Sequence, residues 1–327
     1  MIRVAFLSLV IWIAACAPVP HPPGPSTQTP QISGKTFVAA DGTRLPLKSW
    51  LPENSLPPVA VILALHGFND YSNFFDDPGD FLTARGIASY AYDQRGFGAA
   101  PNRGTWAGAA AYVRDAADAM HALRRQYPKT PLYLLGSSMG GAVAMVALSA
   151  SDEKLVDGLI LAAPAVWGRV TMPWYQRVAL WLGAHTVPWM TVTGQGLGII
   201  PSDNYEMLVA LGRDPLIIKE TRIGTIYGLV NLMDAGLAAA PKLPAPALIL
   251  YGEKDQIIPK LPTRRMLARV PSGARVALYE GGYHMLLRDL PAATVWKDIA
   301  HWITNRHGAL PSGADARDIQ RLLGEDQ

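Results

Sequence analysis

The chain has 327 residues, half of them hydrophobic and 17% charged, and its 29 Lys and Arg against 26 Asp and Glu leave a net charge of +3. That field is too weak to argue for a nucleic-acid partner. With one cysteine, no Gly-x-Gly-x-x-Gly, no Walker loop and no paired-cysteine spacing, the sequence offers no nucleotide cradle and no zinc site.

Residues 1–15 read as a separate instruction. A short charged start, Met1-Ile2-Arg3, precedes an apolar stretch over residues 4–15, the length of a signal-peptide core and short for a bilayer span. It ends Ile13-Ala14-Ala15-Cys16, which resembles a bacterial lipobox, so Cys16 is the expected lipidation site. Cys16 is the only cysteine, as suits an exported chain that neither forms disulfides nor exposes a thiol. Ala17 in place of aspartate after it implies, by the usual bacterial sorting pattern, an outer-membrane destination on the periplasmic side. Residues 16–34 are Pro-rich and are expected to be an extended tether holding the domain off the membrane.

From Lys35 on, the pattern is that of one α/β domain with an insertion. Residues 37–40 and 45–50 around Asp41-Gly42 predict a hairpin. Then strands and helices alternate: 59–65 strand, 74–85 helix, 87–92 strand, 108–127 helix, 132–135 strand, 139–149 helix and 158–163 strand. Such alternation predicts a mostly parallel sheet with helices on both faces. The most informative stretch is Tyr133-Leu134-Leu135-Gly136-Ser137-Ser138-Met139-Gly140-Gly141. An apolar strand runs into Gly-x-Ser-x-Gly and then into a small, helix-prone run, the form of a nucleophile elbow with Ser138 at its tip. Side chains at Gly136 and Gly140 would collide with backbone in so tight a turn.

A serine hydroxyl needs a base, and the base needs an orienting acid; in this architecture they follow in the order serine, acid, histidine. Of seven histidines, His21, His66 and His121 precede the serine, His185 lies in a Trp/Pro-rich region, and His301 and His307 sit at a terminal amphipathic helix over 295–305. His284 remains, presented by Gly281-Gly282 after a strand-like run over 275–280. The acid is Asp255, just past the buried strand 247–251, with Glu253 and Asp289 as fallbacks. The strand over 59–65 runs into His66-Gly67-Phe68, so the backbone N–H groups of Phe68 and Met139 are the expected oxyanion donors. His66 is read as shaping its loop, and Asp93 and Arg95 as bracing the loops around the site.

Residues 165–244 interrupt the alternation and are rich in Trp, Pro, Met and Leu, with helices expected over 203–212 and 216–236. They read as a cap over the site. Trp167, Trp174, Trp181 and Trp189 make it aromatic, either as cap core or as an acyl-binding lid that touches membrane. The remaining core is placed at residues 245–306, after a first half at 35–164. A tail over 307–327 ends in a short amphipathic stretch, 314–323, that carries no chemistry.

His66-Gly67-Phe68, Asp93 to Gly98, Gly136 to Gly141, Asp203 with Asp214-Pro215-Leu216, Gly252 to Asp255 and Gly282-Tyr283-His284 together resemble the α/β-hydrolases. Within that fold they resemble the monoacylglycerol lipase, lysophospholipase and serine aminopeptidase S33-like group. The resemblance spans roughly residues 35–306 and implies a cofactor-free, metal-free serine hydrolase with the triad Ser138, Asp255 and His284. Its expected substrate is a carboxylic ester, above all a monoacyl lipid such as a monoacylglycerol or lysophospholipid. Two departures bear on the glyceride: Ser137 stands where relatives often carry histidine, and Phe68-Asn69-Asp70-Tyr71 lacks their Gly-Glu-His. An S33-like peptidase or amidase is the enzymatic rival, with Asp203, Glu206 or Asp214 as its amine anchor. A thioesterase is disfavoured by the scarcity of acyl-CoA outside the cytoplasm, and the rival of another class is a non-catalytic binding lipoprotein. No obligate protein partner is inferred.

Overall fold

A computed structural model describes residues 20–53, 57–151, 153–244 and 246–317. The apolar stretch over residues 4–15 and Cys16 lie outside the described residues. In chain order the first elements are β1 (Gln31–Ser33), β2 (Thr36–Val38), β3 (Arg44–Trp50), β4 (Ala60–Leu65), α1 (Asp76–Thr83), β5 (Ile87–Tyr92) and α2 (Ala109–Gln126). They are followed by β6 (Leu132–Ser137), α3 (Met139–Ser149), β7 (Gly158–Ala162), α4 (Trp174–Thr186), β8 (Thr191–Val192), α5 (Tyr205–Arg213), β9 (Thr221–Arg222) and α6 (Ile223–Ala239). The last are β10 (Ala247–Gly252), α7 (Lys260–Leu267), β11 (Ala274–Tyr279) and α8 (Ala292–Thr304).

Among the described residues, nine strands form one sheet in the order β1-β2-β3-β5-β4-β6-β7-β10-β11. Its six strands from β5 to β11 are parallel, and the N-terminal β1, β2 and β3 add on antiparallel. This is the expected α/β-hydrolase architecture. The parallel strands are short branched or apolar runs because helices cover both faces. On β4, Val61, Leu63 and Leu65 face one core cluster while Ala60, Ile62 and Ala64 face the other. Each fully buried Leu, Ile or Val contributes roughly 1.5–3 kcal/mol, so these two layers hold the sheet.

The chain passes from β4 to β5 on one side and then to β6 on the other. The carboxyl ends of β4 and β6 therefore flank the point where the strand order reverses, where open α/β sheets place their ligands. Leu65 pairs with Gly136, which sets His66-Gly67 beside Ser137-Ser138.

Three expectations change. Residues 20–34 lie on the domain instead of running free: His21 N–H donates to Trp106 O (3.0 Å), Thr27 N–H to Ala40 O (2.7 Å), and residues 31–33 pair with β2. Proline-rich composition blocks helix and core packing, but it leaves the carbonyls and the remaining N–H groups free to bond a surface. The cap helix expected over 216–236 is Ile223–Ala239, because residues 214–221 are tied to the loop after β4. Of the C-terminal stretch 314–323, Ala314–Ala316 is a single 3-10 turn and residues 318–323 lie outside the described residues.

Residues 165–244 carry α4, α5 and α6. By length and composition α6 could cross a membrane, but half of it is buried, with Gly236 against Ala142 of α3. It is a core helix of the domain. α4 is its opposite: only Ala184 is buried, while Trp174, Val178, Trp181 and Leu182 point outward on one face.

Candidate active site

Ser138 sits between β6 and α3 with φ 49° and ψ −115°. A non-glycine residue in that region is strained and is held only by its surroundings. Those surroundings are explicit. A Cβ on Gly136 would stand 2.4 Å from Gly140 O, and one on Gly140 would stand 2.2 Å from Leu65 O. Ser138 N–H donates to Ala162 O (3.0 Å) and Ser138 O accepts from Gly141 N–H (2.9 Å). The turn is thus pinned to strands on both sides.

The other two predicted members come from the far half of the sheet. Asp255 follows β10 and is buried; its Oδ1 accepts from Ile257 N–H (2.8 Å) and Ile258 N–H (2.9 Å). Its Oδ2 accepts from His284 Nδ1–H at 2.8 Å. That bond assigns the second nitrogen, Nε2, as the acceptor, and it lies 2.9 Å from Ser138 Oγ. Serine, histidine and aspartate form one continuous hydrogen-bonded chain across 146 residues of sequence.

Asp289, one fallback acid, does a different job. It is buried, and burial pushes its carboxyl up, against the pull of the Ser202 hydroxyl (2.6 Å) and Tyr283 N–H (2.8 Å). It therefore fixes the backbone next to His284. Glu253, the other fallback, stays at the end of β10, its N–H donating to Tyr279 O (3.0 Å). None of His21, His121, His185, His301 and His307 lines the cavity at Ser138.

The loop after β4 is held from below. His66 is fully buried; its Nε2 accepts from Gln94 N–H (2.9 Å), so Nδ1–H donates to Gly67 O (2.8 Å). Burial drives its basicity down, and the ring stays neutral. Gly67 rests on Ser138, where an added Cβ would stand 3.3 Å from Ser138 Cβ. Phe68, the next residue, lines the same cavity as Ser138. Met139 is the first residue of α3, so its N–H is one that a helix leaves without an intrahelical partner.

Asp93 and Arg95 are braces, as expected. Asp93 accepts from Ser72 N–H (3.0 Å) and Ala99 N–H (2.9 Å). Arg95 bridges Asp115 (2.6 Å) and Asp41 (2.8 Å) in a nearly dry cluster. Burial pushes Asp115 up to about 6 against the pull of Arg95; for Asp41 the Arg95 guanidinium and the Thr43 N–H outweigh burial and hold it well below the usual range.

Above Ser138 lies a cavity of about 430 Å³. Much of its lining is apolar, with Trp167, Met172, Leu229, Val230, Met233 and Ile258 from the cap and the β10 loop. The lining also includes an ion pair, Asp70 with Arg288, which sequence reading passed over. A charged residue four places after the base was its only signal. Of the four cap tryptophans, Trp167 lines this cavity, while Trp174, Trp181 and Trp189 are 73%, 46% and 62% exposed. The proposed amine anchors are not brought to the site. Asp203 accepts from Leu290 N–H, Asp214 from the Tyr71 hydroxyl, and Glu206 is exposed on α5. No cluster of potential metal ligands occurs among the described residues.

The family described as serine aminopeptidase, S33 matches residues 57–291. Mouse monoglyceride lipase is 27% identical over 284 residues, covering 85% of this chain and 92% of that one. The monoacylglycerol lipase of Mycolicibacterium smegmatis is 26% identical over 283 residues, covering 84% and 97%. A solved soluble variant of Saccharomyces cerevisiae monoglyceride lipase, in complex with a substrate analog, superposes with a TM-score of 0.68 at 22% identity, covering 88% of this chain and 99% of that one. The family match spans well over half of the chain, and the strand order and the elbow agree with it: the chain belongs to the serine aminopeptidase S33 family of α/β-hydrolases.

Proposed function

We propose that this carboxylic ester hydrolase cleaves monoacyl lipids, monoacylglycerols first, by acyl transfer to Ser138. His284 Nε2 takes the hydroxyl proton as Ser138 Oγ attacks the acyl carbonyl. The Phe68 and Met139 N–H groups receive the oxyanion, each worth roughly 3–4 kcal/mol. His284 then passes the proton to the leaving glycerol oxygen, Asp255 holding its tautomer and stabilising the imidazolium. Water, deprotonated by the same nitrogen, attacks the acyl-serine and releases the fatty acid.

The observation that carries this reading is the Ser138–His284–Asp255 chain opening into a cavity lined by apolar side chains and one ion pair. An acyl chain suits the apolar lining. Asp70 can accept from a hydroxyl and Arg288 can donate to one, which suits a glycerol. Arg288 is the only cation lining the cavity among the described residues, and Asp70 already balances it. A phosphorylated head group would have to displace that carboxylate, which argues for the glyceride over the lysophospholipid. The similarity to mouse and mycobacterial enzymes of that name points the same way.

The test is hydrolysis of monoacylglycerols from C4 to C18 beside lysophosphatidylcholine and an aminoacyl amide, with Ser138→Ala as the blank. A Ser138-dependent maximum on long monoacylglycerols is expected. A preference for the amide would move the reading to the peptidase, and no turnover on any of these would leave the binding lipoprotein.

We further infer export and anchoring at the outer membrane through an acylated Cys16. The support is the sequence Ile13-Ala14-Ala15-Cys16, together with the outward apolar face of α4. Cys16→Ser should abolish incorporation of labelled palmitate and release the enzyme from the membrane fraction; a membrane-bound Cys16→Ser protein would sink the claim.

A further inference from the structure

The cap does more than roof the cavity. Residues 69–71, directly after the expected oxyanion donor Phe68, are bonded to cap residues 214–221 by three hydrogen bonds. Tyr71 Oη–H donates to Asp214 Oδ2 (2.7 Å), Asn69 Nδ2–H to Thr221 Oγ1 (2.7 Å), and Ile218 N–H to Asn69 O (3.1 Å). Asn69 itself is left-handed, with φ 64°, a conformation that asparagine tolerates better than most side chains. Asp214 is fixed in turn, because its Oδ1 accepts from Leu216 N–H (2.7 Å). Burial and this carboxylate raise the Tyr71 hydroxyl above its ordinary value, so it remains a donor throughout the working range.

The other end of the same arm grips the histidine loop. Pro201 O accepts from Met285 N–H (3.0 Å), the Ser202 hydroxyl donates to Asp289 (2.6 Å), and Asn204 Nδ2–H donates to Arg288 O (3.0 Å). Between the two grips lies only α5, which buries none of its residues. The Asp70–Arg288 pair closes the circuit by joining the two loops directly. The arm over residues 201–221 has little core of its own; besides bonds to Arg103 and a pairing with β8, it is tied to the two loops that flank Ser138.

We propose that Tyr71, Asp214 and Thr221 are positioning residues, through which the cap sets the Phe68 N–H in the oxyanion hole and registers it against His284. This rests on the oxyanion role proposed above for Phe68. When the arm is seated, the donor is aimed; when the arm lifts, binding space and catalytic geometry are lost together. Asp203 and Asp214, which stand out in the sequence without any chemistry to do, find their use here as the two acidic ends of the clip.

The test uses the full chain with a soluble short-chain p-nitrophenyl ester, which does not depend on a lipid interface. Tyr71→Phe and Asp214→Ala should each lower kcat about tenfold with KM within twofold, the signature of an interaction made in the transition state. The double variant should fall no further than Asp214→Ala alone, since the bond lost in Tyr71→Phe is already lost there. Affinity for a trifluoromethyl ketone, whose hemiketal oxygen occupies the oxyanion hole, should drop by the same factor. Thr221→Val, on the cap and remote from the reacting atoms, should reproduce part of the loss at an unchanged melting temperature. Unchanged kcat in Tyr71→Phe and Thr221→Val, or a rise in KM alone, would overturn the proposal. A wild-type protein without Ser138-dependent turnover would instead remove the esterase reading beneath it.

Discussion

The floor and the roof of the cavity are built by opposite rules. On the floor, Ser138, Asp255 and His284 follow strands of the central sheet, and the groups that orient them are hydrogen-bonded within the core: Asp255 to the Ile257 and Ile258 N–H groups, His66 to Gln94. Of the roof, α6 lines the cavity and is half buried, whereas the outer cap turns apolar side chains outward along α4 and leaves α5 without one buried residue. A floor of this kind is rigid because moving any part breaks several bonds. An outer cap of this kind is held by a few clips and can be displaced at lower cost than α6 beneath it. The difference teaches that chemistry and access are assigned to parts of different stiffness.

The sharpest way to break the comparison is at the floor. Asp255→Asn keeps the size of the side chain but offers His284 an amide, which favours the wrong tautomer. Activity on any ester should fall by about 10⁴-fold with little change in KM, as read by steady-state kinetics. A smaller effect follows from sterics alone. Gly140→Ala places a methyl 2.2 Å from Leu65 O and 2.8 Å from His66 O, both backbone atoms of β4 and its loop. Urea unfolding should show a loss of about 1–3 kcal/mol, with activity falling further than stability because Ser138 and Gly67 must shift apart.

The same contrast explains what could be read from sequence. β4, β6, β7 and β10 are four apolar runs with turn residues at their ends, and Ser138, Asp255 and His284 follow strands of this kind or their neighbours, so local pattern singles out the residues that the structure joins in one hydrogen-bonded chain. Asp255 was separable from Asp289 because it ends a buried strand, and the structure gives each a distinct set of donors. The cap resisted. Residues 216–220 have helical composition, but Ile218 N–H donates to Asn69 O, 149 residues earlier, and no local window contains that partner. Asp70 and Arg288 are 218 residues apart and meet only in three dimensions. Residues 20–34 read as tether because composition reports what a segment cannot pack, not which surface its free carbonyls and N–H groups can reach.

A third prediction concerns protons. His66 is buried, and burial lowers its basicity below the ordinary value of 6.5; Asp70 and Asp93 pull the other way, Arg288 assists burial, and its ring bonds use both nitrogens. An unfolded chain takes up a proton near pH 6.5 that the folded ring refuses. His66 therefore contributes full stability above pH 6.5, and that contribution is lost as pH falls from there toward the folded value. The limiting slope is about 1.4 kcal/mol per pH unit. Urea midpoints measured at pH 7.5 and 5.5 should separate more for the wild type than for His66→Gln. Equal separations would mean that the folded ring protonates freely.

The smallest expected effect has the opposite sign and belongs to the roof. Gly212 lies in α5, and a Cβ there meets nothing within 4 Å. Glycine in a helix interior costs roughly 0.5–1 kcal/mol relative to alanine, and Gly212, next to last in α5, belongs at the low end of that range. Gly212→Ala should therefore stabilise the arm by about that amount, where the same change at position 140 destabilises the floor. Because α5 joins the grip on residues 69–71 to the grip on the histidine loop, stiffening it should also slow exchange of the Tyr71 and Met285 amides with deuterium. If the cap and the floor were one equally rigid body, the added methyl would leave those amides unaffected while it raised the melting temperature. Slower exchange confined to the two gripped loops would show that the clip, and not the whole domain, had been tightened.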